Sequence, residues 1–491
     1  MIDVDYVIVG AGTAGCVLAA RLSQDPDTRV ALVEAGPAEG PARMSDPAAS
    51  FTLWGSQVDW GYSTTPQAGT CGAIHPYPLG RVLGGSSAIN AALHLRASRD
   101  SYDAWAGLGA EGWNYESLLP YLDRCQGADG HDRSIRAAAG SMTIEASPPA
   151  APLPRAWSAA AVAAGFTPEY AEMNLVGGRR QSAADAYLRP VLGRRNLTVL
   201  SGAVVTRLLL TGGRCSGVEY RSDASLQTLR ADREVLLAAG AIGSPHLLLR
   251  SGIGDADDLA AVGIPAIHHL PGVGRNLHDH VIGGVVYQLD EPLSDDAAAG
   301  LLPYVLCRSD DTVAPDIQLI LNPGPWAPRW SASTAIGYSV MFALMSPTSR
   351  GSVRVVSADP AAAPLIDPNF LAEERDVERM VKGLRLAPRI GAGEALSRWR
   401  RAELRPGSTV NDEVALGEFV RRSATTYFHP VGSCRMGNDS LAVVDSALCV
   451  RGIEGLRVAD ASVMPAIVSA NTNATVLAIA ERAAEIVTQP S

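Results

Sequence analysis

An α/β plus α+β chain, with one parallel-sheet domain built from separated segments and one antiparallel-sheet domain set between them, is predicted by three observations. Residues 4–36 run strand, glycine turn, helix, strand. The same strand-turn-helix order recurs in REVLLAAGAIGSPHLLLRSGIG (233–254) and in LRVADASVMP followed by TVLAIAERAAEIV near the end. Alternating apolar runs (DIQLILN, GYSVMFALM, GSVRVVS) fill residues 316–356. Helices between strands imply parallel pairing through crossovers, whereas period-two runs imply antiparallel strands with one exposed face.

The first element is the strand DYVIVG, which meets a glycine turn before any basic leader could form, so it reads as a core strand and not a signal peptide. The helix TAGCVLAARLS and a second apolar strand, VALVEA, complete a βαβ unit. Residues 126–155 and 284–314, rich in Asp, Ala, Pro and Gly, read as connecting loops. At 491 residues the chain exceeds what one core usually supports, which fits two domains. A formal net charge of -10 with no clustered Lys or Arg argues against nucleic acid as a partner. No apolar run reaches the ~20 residues of a membrane span. Seven scattered cysteines without a C-x-x-C pair fit a reduced, cytoplasmic chain.

Within the first turn, Gly10, Gly12 and Gly15 form G-x-G-x-x-G between strand and helix. The first glycine permits the tight turn, the second lets backbone approach a pyrophosphate, and the third allows close helix packing. Glu34 ends the next strand, where a carboxylate accepts from ribose hydroxyls and repels a 2′-phosphate. The adenosine of FAD or NAD is implied, and NADP is not. A second match, GLGAEG (Gly107, Gly109, Gly112), follows SYDAWA with no strand before it and reads as a loop.

Two further glycine-rich stretches decide between flavin and nicotinamide. GRVLGGSSAINAALHLRA (80–97) and GAIGSPHLLLRSGIG (240–254) resemble the two signatures of the glucose-methanol-choline (GMC) oxidoreductase family of FAD-dependent alcohol oxidases and dehydrogenases. LPGVGRNLHDH (270–280), FHPVGSCRMG (428–437) and VADASVMPAIVSANTNAT (458–475) extend the resemblance nearly end to end. It points to a bacterial branch with choline dehydrogenase-like proteins and pyridoxine or hydroxymethylfurfural oxidases. One departure stands at His94, where the signature has an aromatic residue or alanine.

The resemblance implies a Rossmann-like FAD-binding domain of residues 1–145, 190–281 and 426–491, and a discontinuous antiparallel-sheet substrate domain of residues 146–189 and 282–425. By matching position it puts the FAD pyrophosphate at Gly10, Gly12, Thr13, Ala14 and Gly15, and the adenosine at Glu34 and Ala35. Trp60, Arg81, Val82, Gly85, Asn90, Ala91 and Val205 are expected along the extended cofactor, with Asp460, Ala461 and Thr472 at the ribityl and ring system. Some members attach FAD through a histidine at the position that is Ile89 here, so noncovalent FAD is expected.

TTYFHPVGSCRMG (425–437) holds His429, Cys434 and Met436 close together. By themselves they allow a soft-metal site, a thiol nucleophile with its base, a lone general base, or packing. In the resemblance His429 is the base that takes the hydroxyl proton while hydride leaves the carbinol carbon, a role suited to a neutral imidazole. Asn471 occupies the family's second position and is expected to bind the substrate oxygen, and Tyr427 and Phe428 to wall the pocket. Cys434 and Met436 are read as packing beneath the site. The cluster His268, His269, His278 and His280 lacks accompanying thiols or carboxylates, so no metal is expected.

The function expected is oxidation of a small primary alcohol, preferably an aromatic or heteroaromatic hydroxymethyl compound, to the aldehyde, with dioxygen or another electron acceptor reoxidising FAD. A choline-type dehydrogenase with a non-oxygen acceptor, and an FAD-containing lyase without net redox change, are the alternatives. No G-x-S-x-G elbow occurs to support a hydrolase. Trp326, Trp330, Tyr338 and Phe342 are candidate aromatic walls. A helix from 475 to 487, starting just beyond Asn471, is expected to turn its positive end toward the flavin.

Overall fold

The computed structural model describes residues 2–126, 141–145, 151–223, 225–294, 302–310, 314–326 and 336–489. The opening βαβ unit forms as its hydrophobic pattern dictates: β1 (Ile2–Val9), α1 (Thr13–Leu22) and β2 (Val30–Val33). β2 is buried along its whole length, as a strand covered on both faces should be. Next in the sheet come β3 (Leu197–Leu200), β4 (Val204–Thr211), β5 (Arg214–Ser222) and the 13-residue β6 (Ser225–Leu237), in spatial order β3-β2-β1-β6-β5-β4. Pairing is parallel from β3 to β6 and antiparallel from β6 to β4, so the sheet is mixed. Strand Leu456–Val458 pairs in parallel with the end of β6, bringing the carboxy-terminal segment into the same layer.

After β6 the chain enters α2 (Gly240–Arg250). The second sheet comprises β7 (Val281–Gln288), β8 (Pro303–Cys307), β9 (Ile317–Asn322), β10 (Gly337–Leu344) and β11 (Ala402–Arg405) in antiparallel order β11-β7-β10-β9-β8, with Glu169–Tyr170 beyond β8. Helix α3 (Glu374–Gly391) packs across β10, β7 and β9. β12 (Thr425–Thr426) pairs with the start of β7.

Several expectations are corrected. β10 is buried on both faces: Tyr338, Val340, Phe342 and Leu344 pack with Val377, Met380 and Leu384 of α3, whereas Met341 and Ala343 pack with the core of the first sheet. GSVRVVS contributes only Gly351–Arg354, and these join a separate small sheet with Arg275–Leu277 and Leu365–Asp367. The supposed loop 284–314 contains most of β7 and all of β8, and a helix begins at Pro152 inside the supposed loop 126–155. Loop-like composition misled at β7 because Gly283 and Gly284 serve packing there: a Cβ would stand 2.6 Å from the Phe342 ring or 2.9 Å from Met341 sulfur. Residues 127–140, 146–150, 295–301 and 311–313 of those stretches lie outside the described residues.

The last helix, α4 (Asn473–Thr488), packs on α1. Arg21 of α1 makes a bidentate ion pair with the fully buried Glu481 at 2.7 and 2.8 Å. Among the described residues no helix is long and apolar enough to cross a membrane. Gly109 and Gly112 of the decoy motif sit at positive φ in turns after helix Arg99–Gly107, and the cavity described next does not reach them.

Candidate active site

A cavity of about 630 Å³ is lined from both sheets. Its walls include Gly10, Gly12, Thr13, Ala14, Glu34, Ala35, Trp60, Gly85, Asn90, Ala91, Val205, Asp460, Ala461 and Thr472, together with Tyr427, Phe428, His429 and Asn471. Gly15, Arg81 and Val82 do not line it. A Cβ on Gly15 would stand 1.8 Å from the Gly10 carbonyl oxygen, so this glycine serves helix packing. The Arg81 guanidinium lies over the Trp60 ring at 5.1 Å, and Val82 packs with Leu53, Val58, Ala88 and Ile89.

The glycine turn leaves α1 with no side-chain cap at Gly12, so its first-turn N–H groups open toward the cavity. Gly85 approaches from the opposite wall at φ +53, where a Cβ would be 2.7 Å from Gly12 Cα. Glu34 accepts from the N–H groups of Ala11 (2.9 Å) and Gly36 (2.8 Å), tying the ends of β1 and β2 together, and burial pushes its carboxyl up. Asp460 accepts from Gly240 N–H, Ser244 hydroxyl, and both Ser462 donors, which joins the start of α2 to the turn after Leu456–Val458. Two uncapped helix starts (α1 and α4), two carboxylates held by backbone and a narrow glycine cleft fit an extended dinucleotide such as FAD.

His429 is half-buried at the cavity wall, and burial first and His280 second hold its pKa well below the ordinary imidazole value. Its Nε2 lies 3.1 Å from Asn471 Nδ2, and its Nδ1 lies 2.9 Å from His280 Nδ1. The backbone of His429 is fixed by Asp279, whose Oδ1 accepts its N–H at 2.8 Å while Oδ2 accepts from the hydroxyls of Thr426 (2.6 Å) and Tyr77 (2.9 Å). Burial raises the Asp279 carboxyl to about 6 despite these donors. Phe428 takes φ +68 between Tyr427 and His429, and Gly432 takes φ +87 beyond Pro430. These two left-handed residues bend the segment around His429.

The Tyr427 ring stands 4.7 Å from that of His429, and its hydroxyl donates to Gln318 at 2.8 Å. Phe428 contacts Trp54 (4.8 Å), which in turn contacts Phe51 (4.9 Å); both also line the cavity. Of the four aromatic candidates, Trp326 lines it, Tyr338 and Phe342 lie under α3 on the far face of β10, and Trp330 lies outside the described residues. Cys434 and Met436 are fully buried and donate their backbone N–H groups to Ser462 and Val463. His94 is buried too, its Nδ1 accepting from Asn174 at 3.0 Å.

Phe51, Trp54, Asp279 and His280 were not singled out for the site by sequence reasoning; only the HDH spacing in LPGVGRNLHDH marked the last two. His278 beside them is spent on backbone, its Nδ1 donating to Asn276 (2.6 Å) and its Nε2 accepting from Ile467 (2.9 Å).

The GMC oxidoreductase amino-terminal profile matches residues 4–282 and the carboxy-terminal profile matches 347–480. The chain belongs to the GMC oxidoreductase family. It is therefore an FAD-dependent oxidoreductase of alcohols. Mitochondrial choline dehydrogenase of Mus musculus is 39% identical, with 98% of this chain and 89% of that protein covered. The crystal structure of pyridoxine 4-oxidase from Mesorbium loti superposes with a TM-score of 0.93 at 36% identity, over 98% of both chains. A fungal aryl-alcohol oxidase structure superposes with a TM-score of 0.86 at 26% identity, over 99% of both.

Proposed function

We propose that this GMC oxidoreductase oxidises an uncharged primary alcohol, preferably a hydroxymethyl arene or heteroarene, to the aldehyde, with His429 as general base. The observation that carries this reading is the close pair His429 Nε2 and Asn471 Nδ2, 3.1 Å apart at the cavity wall. A substrate hydroxyl inserted there donates to Nε2 and accepts from Asn471, which places its proton on the path to the base. The bound FAD supplies the acceptor for the hydride that leaves the carbinol carbon. Gly10, Gly12, Thr13, Ala14 and Gly85 bind the cofactor's phosphates through backbone, with Glu34 at the adenosine ribose. Asn471 orients the alcohol oxygen, and the aromatic walls exclude water.

Charge supports a neutral substrate. Among the described residues the only carboxylates lining the cavity are Glu34 and Asp460, and both are engaged with backbone and serine donors. A quaternary ammonium would meet Phe51, Trp54, Tyr427, Phe428 and Trp326 without an anion beside them. Aromatic faces alone attract a cation by ~0.5–2 kcal/mol, whereas a flat neutral ring gains offset stacking on the same walls. Benzyl alcohol, hydroxymethylpyridine, hydroxymethylfurfural and choline, each mixed anaerobically with the holoenzyme, test this through bleaching of flavin absorbance. Bleaching by the aromatic alcohols and not by choline is expected, and peroxide formation on admitting air identifies dioxygen as acceptor. Fast bleaching by choline alone would overturn the substrate class, and bleaching at the wild-type rate in His429→Asn would overturn the base.

A further inference from the structure

His280 lies behind His429, fully buried and outside the cavity wall. Its Nε2 is 3.0 Å from the carbonyl oxygen of Val468 and 3.1 Å from that of Met345. Carbonyl oxygens only accept, so Nε2 carries a hydrogen and is shared between them. Burial drives the His280 pKa to about 3, which keeps the ring neutral. The lone pair of a neutral ring protonated at Nε2 is on Nδ1. That nitrogen stands 2.9 Å from His429 Nδ1, and two bare nitrogens at this distance would repel. The hydrogen between them therefore belongs to His429.

We propose that His280 sets the tautomer of His429, holding its single ring hydrogen on Nδ1 so that Nε2 meets the substrate as a lone pair. The Asn471 amide agrees from the other side, since its Nδ2 donates to the same Nε2 at 3.1 Å. The inference rests on the reading of His429 as the base and adds a positioning residue to it. When the alcohol O–H bond breaks, the proton bonds to Nε2 and His429 becomes an imidazolium whose Nδ1–H stays on the His280 lone pair. The proton then leaves Nε2 for solvent once the aldehyde departs. Aspartate orients the base in hydrolytic triads and makes it more basic. A neutral imidazole in that place supplies the orientation without the charge, so His429 stays unprotonated between turnovers.

Histidine-selective ¹⁵N NMR of the holoenzyme reads the tautomer directly among nine histidines, with His429→Asn assigning the signal by its loss. A protonated Nδ1 and bare Nε2 on His429 are expected; a proton on Nε2 overturns the inference. His280→Leu should shift that signal toward the Nε2–H form and slow anaerobic flavin reduction by alcohol roughly 10–100-fold, part of the ~10²–10⁴ that a positioned base contributes. His280→Asn, which can present an amide oxygen near the lost Nδ1, should restore most of the rate. Reduction at the wild-type rate with an unchanged ¹⁵N signal in His280→Leu would also overturn it. The two failures are separable: a fully active His429→Asn removes the base reading, whereas an inactive His429→Asn beside a normal His280→Leu removes only the positioning role. If His280→Leu loses its cofactor, the wild-type ¹⁵N spectrum still decides.

Discussion

Acidification from pH 7 to pH 5 should destabilise this protein steeply. His75, His94 and His280 are each buried, and burial lowers their pKa values to about 4, about 3 and about 3. A depressed histidine value means that the unfolded chain takes up the proton first, near pH ~6.5, while the folded chain stays neutral. Stability is then complete above ~6.5 and is lost as the pH falls toward the folded values. At pH 5 each such histidine costs about 2 kcal/mol, so the three together remove about 6 kcal/mol. Asp279 acts oppositely: its carboxyl, raised to about 6, takes up a proton in the folded state first and returns about 1 kcal/mol at pH 5. The balance, about 5 kcal/mol, is comparable with the whole stability of many domains. His278 and His429, both held well below the ordinary value, push the same way, while Glu34 and Asp460, whose carboxyls burial raises, act with Asp279. Urea denaturation followed by far-UV circular dichroism at the two pH values measures the change. An unchanged midpoint at pH 5 would refute the account of buried, neutral histidines.

Other substitutions probe the cofactor cleft, the wall and the frame. Gly85→Ala sets a Cβ 2.7 Å from Gly12 Cα at a backbone φ of +53, so the purified variant should be colourless, with flavin content by absorbance as the check. Asn471→Ala removes the donor to His429 Nε2 and to the substrate oxygen; a rate of flavin reduction about 10–100-fold lower is expected in stopped-flow mixing. Gly284→Val crowds Trp326, whose Cβ and Cδ1 lie 3.1 Å from where a Cβ would stand, and should raise the KM for aromatic alcohols in steady-state assays. Arg21→Ala leaves the buried Glu481 carboxylate with Arg124, 3.9 Å away, in place of its bidentate partner and should cost about 3 kcal/mol, seen as a lower Tm by calorimetry.

What was legible in the sequence was local chemistry. The glycines at 10, 12 and 15 and the acid at 34 are spaced by the geometry of one βαβ unit, so a short window contains their meaning. His429 and Asn471 were legible because each lies in a recognisable motif, although 42 residues separate them. Partnerships across the fold were not legible. His280 meets His429 from 149 residues away, and the sequence offers it only as one member of a histidine-rich stretch. The face of β10 was equally hidden: alternation puts Tyr338 and Phe342 on one side and Met341 on the other, but only the position of α3 tells which side is the cavity. Glycine inside β7 looked like loop composition because the rings it accommodates come from β10 and from Trp326.

The helix starts at residues 13 and 473 open into one cavity, and Arg21 and Glu481 lock those helices together. On the ribosome, the nucleotide-binding turn emerges hundreds of residues before the helix that completes its pocket. Cofactor capture should therefore wait until the helix from residue 473 has been made, and yellow colour should report its arrival. Chains stopped before residue 473 should accumulate as flavin-free protein even though their glycine fingerprint is intact.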